Sequence, residues 1–259
     1  SSPTAPPAGS PTKRARPVDE SDDAKEDYPY DVEEADHCET PAAAYEHVAP
    51  VLRMLAALCG RTPASLRIYD PYYCEGGVVR RLGEQGFHRV YNAREDFYAA
   101  IERDRVPVHD VVVTNPPYSG DHIARVMEFC RRNGKPWALL LPNFCYLKDY
   151  FRDHAAPQRP FFIVPPSRYQ YLTVKGRHQK KSATVTSPFF SFWYVWAGPH
   201  TERVVAAWRA VFEADRVFNP EAGLPVLART PAQIPLRAMD SNDPLLQQAR
   251  SVRKRRRQE

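Results

Sequence analysis

Val108-His-Asp-Val-Val-Val-Thr-Asn-Pro-Pro-Tyr118 decides how the chain folds. Its centre, Val111-Val112-Val113, is an unbroken β-branched run, and such a run suits a strand covered on both faces rather than one with a wet side. The strand has to stop at Asn115, because Pro116 and Pro117 lack the N–H that would continue a ladder. Each proline also fixes its own φ and drives the preceding residue to extended backbone, so the bend after the strand is stiff.

The flanking sequence alternates strands with helices. Upstream, Val48, Val51, Leu52, Leu55 and Leu58 recur at helical spacing after a Thr40-Pro41 start, and the pattern stops at Cys59-Gly60. Leu66 to Tyr69 reads as a short strand ending at Asp70, followed by a turn, a helix from Val78 to Gln85 closed by Gly86, and a second strand from His88 to Asn92. Downstream come a helix from Asp121 to Arg132 and a strand from Trp137 to Leu141. This order predicts an α/β fold, a mostly parallel sheet with helices on both faces. Phe161 to Val164 and Phe189 to Trp196 read as strands flanking a polar loop with no helix between them, which predicts an antiparallel strand pair at one end of the sheet. Glu202 to Phe212 reads as a helix, and no internal repeat is visible.

Three divisions follow. Residues 1–36 are rich in Pro, Ser, Ala and acidic side chains, too polar to offset the entropy of ordering, and predict a disordered acidic tail. Residues 37–219 form the folded domain, and 220–259 form a Pro-rich, loosely packed extension with a basic C-terminal tail. The chain begins at Ser1 rather than Met, as a trimmed or processed chain does.

The net charge of +5 is unevenly spread. Residues 19–39 hold eleven acidic side chains and one basic one, Lys25, a local balance of −10 that leaves the remainder at about +15. A surface that basic attracts polyanions through counterion release, which favours nucleic acid as a partner. Lys13-Arg14-Ala15-Arg16 reads as a nuclear-import signal. Arg250 to Arg257, with six basic residues in eight, reads equally as a second import signal, a phosphate clamp or a frayed tail. The two tails are also the places where a protein partner would attach. No run of about 18 apolar residues occurs, so a soluble, intracellular, nuclear protein without a membrane span is expected. The five cysteines are scattered without the close pairs that zinc sites use, so no metal is expected.

The quartet Asn115-Pro116-Pro117-Tyr118 carries the chemistry. An exocyclic aromatic amine is a poor nucleophile because its lone pair is delocalised into the ring. Two acceptors, the Asn115 side-chain oxygen and the Pro116 carbonyl, would bind its two hydrogens and localise that lone pair by positioning and preorganised electrostatics. The loop stands at the carboxyl edge of the predicted sheet, where open α/β folds bind ligands. Tyr118 would offer a face for stacking on a base swung out of its helix. Here the chain resembles the S-adenosylmethionine-dependent amino-methyltransferases with an (Asn/Asp/Ser)-Pro-Pro-(Tyr/Phe) motif, above all N6-adenine methyltransferases of the phage type. The resemblance covers residues 66–197 and rests also on Leu139-Leu-Leu-Pro142, Pro165-Pro-Ser-Arg168 and Ser187-Pro-Phe-Phe-Ser-Phe-Trp-Tyr194. It implies a Rossmann-like class I methyltransferase fold, with Asn115, Pro116, Pro117 and Tyr118 catalytic. By itself the quartet also fits enzymes acting on guanine, cytosine or protein glutamine amines.

The resemblance further places the cofactor, S-adenosyl-L-methionine, on Asp70-Pro71-Tyr72-Tyr73-Cys74-Glu75-Gly76-Gly77. Asp70 would hold the amino group of its methionine part, beside Pro71, Tyr72, Cys74 and Gly76; Cys74 stands where the family usually has its first glycine. Asn92 takes the place of the acidic residue that binds ribose, Asp96 resembles the residue that meets adenine or else caps a helix facing solvent, and Asn115 borders the same ligand. The substrate residues are Tyr118, Tyr146, Arg168, Tyr169, Tyr171, Lys175, Arg177, Lys180 and Lys181, the last seven lying in a basic, aromatic stretch suited to phosphates and bases. Phe144 would also line the target pocket or pack in the core. The expected reaction is methyl transfer to adenine N6 in nucleic acid, RNA ahead of DNA. The rivals are a catalytically silent nucleic-acid-binding subunit and a protein glutamine methyltransferase.

Overall fold

The computed structural model describes residues 38–173, 184–187, 189–213 and 223–255. The acidic tail, the 13–16 signal, the loop bearing Lys175, Arg177, Lys180 and Lys181, and the last four residues lie outside them.

Chain order runs through β1 (Cys38–Glu39), α1 (Ala42–Leu58), β2 (Arg67–Tyr69), α2 (Gly77–Glu84), β3 (Arg89–Tyr91), α3 (Phe97–Glu102) and β4 (Val111–Thr114). It continues with α4 (His122–Asn133), β5 (Trp137–Pro142), β6 (Phe161–Val164), β7 (Gln170–Thr173), β8 (Thr184–Thr186), β9 (Ser191–Trp196), α5 (Thr201–Trp208), β10 (Val226–Ala228) and α6 (Pro244–Arg255). Seven strands form one sheet in the order β10-β6-β9-β5-β4-β2-β3. The β3-β2-β4-β5 part is parallel. β9 runs antiparallel between β5 and β6, and β10 runs antiparallel on the outer side of β6. A small antiparallel sheet, β1-β7-β8, stands apart from it.

Alternation along the strands explains the two layers. Val111 and Val113 of β4 join Ile68, Ala138, Leu140 and Trp193 on the face covered by α1, α2 and α5. Val112 joins Tyr69, Trp137, Leu139, Leu141, Phe192 and Tyr194 on the other face, with residues of α3 and α4. The three valines are at most 1% exposed, each worth about 1.5–3 kcal/mol of burial. The expected buried strand is therefore present, with helices on both faces. Trp193 also donates its indole N–H to the Ala44 carbonyl at 2.8 Å, tying β9 to α1.

The extension differs from its expectation. Instead of packing loosely, it adds β10 to the sheet edge, buries Ile234, Ala238, Met239 and Leu246, and returns to the carboxyl edge. There the Asn143 amide donates to the Ala238 carbonyl at 3.0 Å. The apolar residues responsible come in runs of three or fewer interrupted by prolines, so no periodic pattern marks them. The same brevity hid β1, β7 and β8.

Candidate active site

Parallel strands β2 and β4 end side by side, so Asp70 and Asn115 follow them at the same sheet edge. A cleft of about 320 Å³, its open mouth included, lies there. Its walls include Asp70, Tyr72, Cys74, Gly76, Asn92 and Asn115. Three sequence segments singled out separately, after β2, after β3 and after β4, therefore meet in one place.

Asp70 is 5% exposed. Its Oδ1 accepts the Thr114 hydroxyl at 2.6 Å and the Tyr72 N–H at 3.2 Å. Burial pushes its carboxyl from 3.8 up to about 7, against the opposing pull of those two donors. No cation is bonded to it among the described contacts, so the cleft holds a carboxylate that a positive ligand would stabilise. Asn92 donates its amide N–H groups to the carbonyls of Asp70 at 3.1 Å and Tyr72 at 3.3 Å, which pins the loop after β2.

Among the described residues, three buried side-chain polar atoms lack a hydrogen-bond partner: Asn92 Oδ1, Asn115 Oδ1 and His154 Nδ1. Two of the three belong to this cleft. A buried acceptor without a donor costs about 1–3 kcal/mol, so both oxygens are primed for a ligand's N–H or O–H.

Tyr72 is held from behind. Phe97 meets its ring edge-on at 5.3 Å, and its hydroxyl pairs with that of Tyr98 at 3.0 Å. Tyr98 in turn bonds His122 Nδ1 and lies under the Arg125 guanidinium, 3.3 Å from the ring centroid. Burial, and then Tyr98, raises the Tyr72 phenol well above its usual range, so it stays protonated. Cys74 is raised to about 12, chiefly by burial, so its thiol is not a nucleophile at neutral pH.

Other expected residues fall elsewhere. Pro71 is buried beside the cleft rather than on its wall. Asp96 is the N-cap of α3, its Oδ1 accepting from Tyr98 N at 2.8 Å and Ala99 N at 3.1 Å, and it does not line the cleft. Pro116 is buried, and Pro117 and Tyr118 are half-buried. The Tyr118 hydroxyl turns inward to the Leu140 carbonyl at 3.3 Å and Tyr171 at 3.4 Å, leaving only the ring for stacking.

Three proposed substrate tyrosines are corrected. Tyr169 and Tyr171, 4% and 5% exposed, spend their hydroxyls on His47 at 2.7 Å and Ser191 at 2.7 Å. Tyr146 is buried against Phe162 and Phe192 and donates to the Asp243 carboxylate. Basic neighbours suggested exposure for Tyr169 and Tyr171, and the place of Tyr146 after β5 suggested a pocket wall, yet β7 alternates inward at Tyr171, and the Asp243 partner of Tyr146 is far away in sequence. Arg168 is exposed, as expected. Phe144 is half-buried after β5, edge-on to the 39%-exposed Phe189 at 5.0 Å, with the Lys148 ammonium 5.6 Å from its ring centroid.

Gly77, the end of the expected cofactor loop, lines the cleft, and beside it stands a wall that the sequence did not mark as part of a site, supplied by Cys38, Glu39, Thr40, Tyr45, Val78 and Arg81. Glu39 Oε1 accepts the Gly77 N–H at 3.0 Å, and Glu39 Oε2 pairs with Arg81 at 2.6 Å. A Cβ on Gly77 would lie 2.3 Å from Glu39 Oε1, so glycine there makes room for this pair. Only Thr40-Pro41, read as a helix start, marked the segment.

No family model matches the chain. No curated protein matches it either. The site's geometry and chemistry therefore carry the functional reading. Among the described residues, no cluster of His, Cys, Asp and Glu could hold a metal, and no helix is long and apolar enough to cross a membrane.

Proposed function

We propose that this chain is a Rossmann-like, S-adenosylmethionine-dependent methyltransferase acting on the exocyclic N6 amine of adenine in nucleic acid, RNA ahead of DNA. The observation that carries the reading is the Asn115 side chain: a buried, unpartnered oxygen on a Pro-Pro-stiffened bend, sharing one cleft with the buried carboxylate of Asp70.

The residues present fit such a cofactor. Asp70 would hold its ammonium, the Asn92 oxygen a ribose hydroxyl, and Tyr72, braced by Phe97, an apolar part. When bound, the cofactor supplies an electrophilic methyl on a positively charged sulfur. The chain's own contribution is to the amine: Asn115 Oδ1 and the Pro116 carbonyl accept its two hydrogens and keep the nitrogen lone pair out of conjugation. No side chain has to deprotonate it first, and none in the cleft is poised as a strong base, with Asp70 already committed to Thr114. Removing one preorganised acceptor costs roughly 10²–10³ in rate in comparable sites.

Nucleic acid is favoured over protein by the basic excess and by the half-exposed Phe144 and Phe189 with Lys148 and Arg168 at the same sheet edge, since rings and cations together suit bases and phosphates. The import-like 13–16 cluster makes the nucleus the proposed location. Labelled cofactor offered with separate pools of RNA, DNA and protein tests the reading. Label in nucleic acid, lost with Asn115→Ala, is expected. Label in protein alone favours glutamine methylation, and no cofactor binding by calorimetry favours a silent binding subunit; either refutes the proposal.

A further inference from the structure

The cleft contains a filled anion seat. Arg81, 5% exposed, points its guanidinium at the same spot as the Gly77 N–H, in the first turn of α2, an eight-residue helix whose N-cap, Gly76, adopts φ +73°. Helix N-termini favour negative charge, and a buried guanidinium requires it. The present occupant is the Glu39 carboxylate, which takes both donors.

Glu39 is a replaceable occupant. Among the described residues it sits on a strand of two residues, paired with β7 at Cys38↔Thr173 and Glu39↔Leu172, and its side chain is 15% exposed at the cleft wall. Segments with so few paired residues open at low free-energy cost. A Glu39 carboxylate that swings out regains water, whereas Arg81 cannot follow it. The seat also belongs to a cleft with independent signs of a ligand: the unpartnered oxygens of Asn92 and Asn115 and the uncompensated carboxylate of Asp70.

We infer that Arg81 and the Gly77 N–H form the binding seat for the carboxylate of an α-amino-acid ligand, and that Glu39 fills this seat as a built-in competitor until such a ligand displaces it. The inference rests on the cofactor reading above and extends it to the methionine end, with the ligand ammonium toward Asp70 and its carboxylate toward Arg81. Charge supports this arrangement. A zwitterionic end brings one negative group for Arg81 and one positive group for Asp70, whereas Glu39 satisfies only the first.

A competitor lowers apparent affinity by the fraction of molecules whose seat is free. Glu39→Ala and the near-isosteric Glu39→Gln are therefore compared with the unaltered chain by calorimetry, using S-adenosylmethionine and its decarboxylated form, which lacks only the carboxylate. The preference for the carboxylate-bearing ligand should rise by about tenfold or more in Glu39→Ala, and in the same direction but less in Glu39→Gln, whose neutral amide competes more weakly for Arg81. Should removal of the charge partner prevent Glu39→Ala from folding, Glu39→Gln carries the measurement, since its amide oxygen can still accept from Gly77. An unchanged preference, or a fall because Glu39 itself holds the ligand's ammonium, overturns the inference while leaving the cofactor reading intact. Failure of all three proteins to bind either ligand overturns both.

Discussion

Replacing Asp70 by Asn should make the protein more stable at alkaline pH while weakening the proposed cofactor binding. Burial holds the folded-state carboxyl at about 7, against 3.8 in an unfolded chain. The folded state thus keeps its proton across a range where the unfolded state has lost it. The contribution of this group to stability is then greatest below about pH 4, falls by up to about 1.4 kcal/mol per pH unit between about 4 and 7, and levels off above. The whole gap is worth about 4 kcal/mol, and the part between pH 5.5 and 8 about 2 kcal/mol. Because the group is buried, solvent screening removes little of this. Asn keeps an oxygen for the Thr114 hydroxyl and the Tyr72 N–H but has nothing to ionise. Urea unfolding of both proteins at pH 5.5 and pH 8 isolates the contribution, since every other titrating group cancels in the difference. Asp70→Asn should gain about 2 kcal/mol on the unaltered chain between the two pH values, and should bind S-adenosylmethionine at least about tenfold more weakly because a charged hydrogen bond is lost. Parallel pH dependence in the two proteins would refute the claim that this carboxylate is held buried and uncompensated.

Asn115→Ala should lower the single-turnover methylation rate by about 10²–10³ while cofactor affinity, measured by calorimetry, changes little, because the side chain acts on the amine. Tyr146→Phe should cost about 1–3 kcal/mol in urea unfolding by taking the donor from Asp243 Oδ2, yet leave nucleic-acid affinity unchanged; lost affinity in a stable variant would return Tyr146 to the substrate surface. Affinity for single-stranded RNA should fall steeply as salt rises, and Arg177→Ala, Lys180→Ala and Lys181→Ala together should flatten that slope by about two to three, as filter binding across salt concentrations would reveal.

Much of this was legible locally. A triple-valine run can satisfy its side chains only between two covered faces, and two successive prolines can follow it only as a stiff exit, so the strand and the bend after it were written in adjacent residues. The regular helices, too, announced themselves by spacing. What adjacent residues could not determine was which distant groups share a cleft and which polar groups are already spent. Asp96 reads along the chain either as a ligand contact or as a helix cap and Tyr171 as a substrate contact, and the folded chain decides for the cap of α3 in the first case and for Ser191 in the second. Glu39 and Arg81 are unremarkable in order along the chain, and Gly77 shows there only as the end of the loop after β2. They became a site because β1 pairs with β7 at one end of the sequence gap and α2 follows β2 at the other. Hydrogen bonding and ion pairing act over a few ångströms, and only tertiary structure brings residues 38 positions apart within that reach.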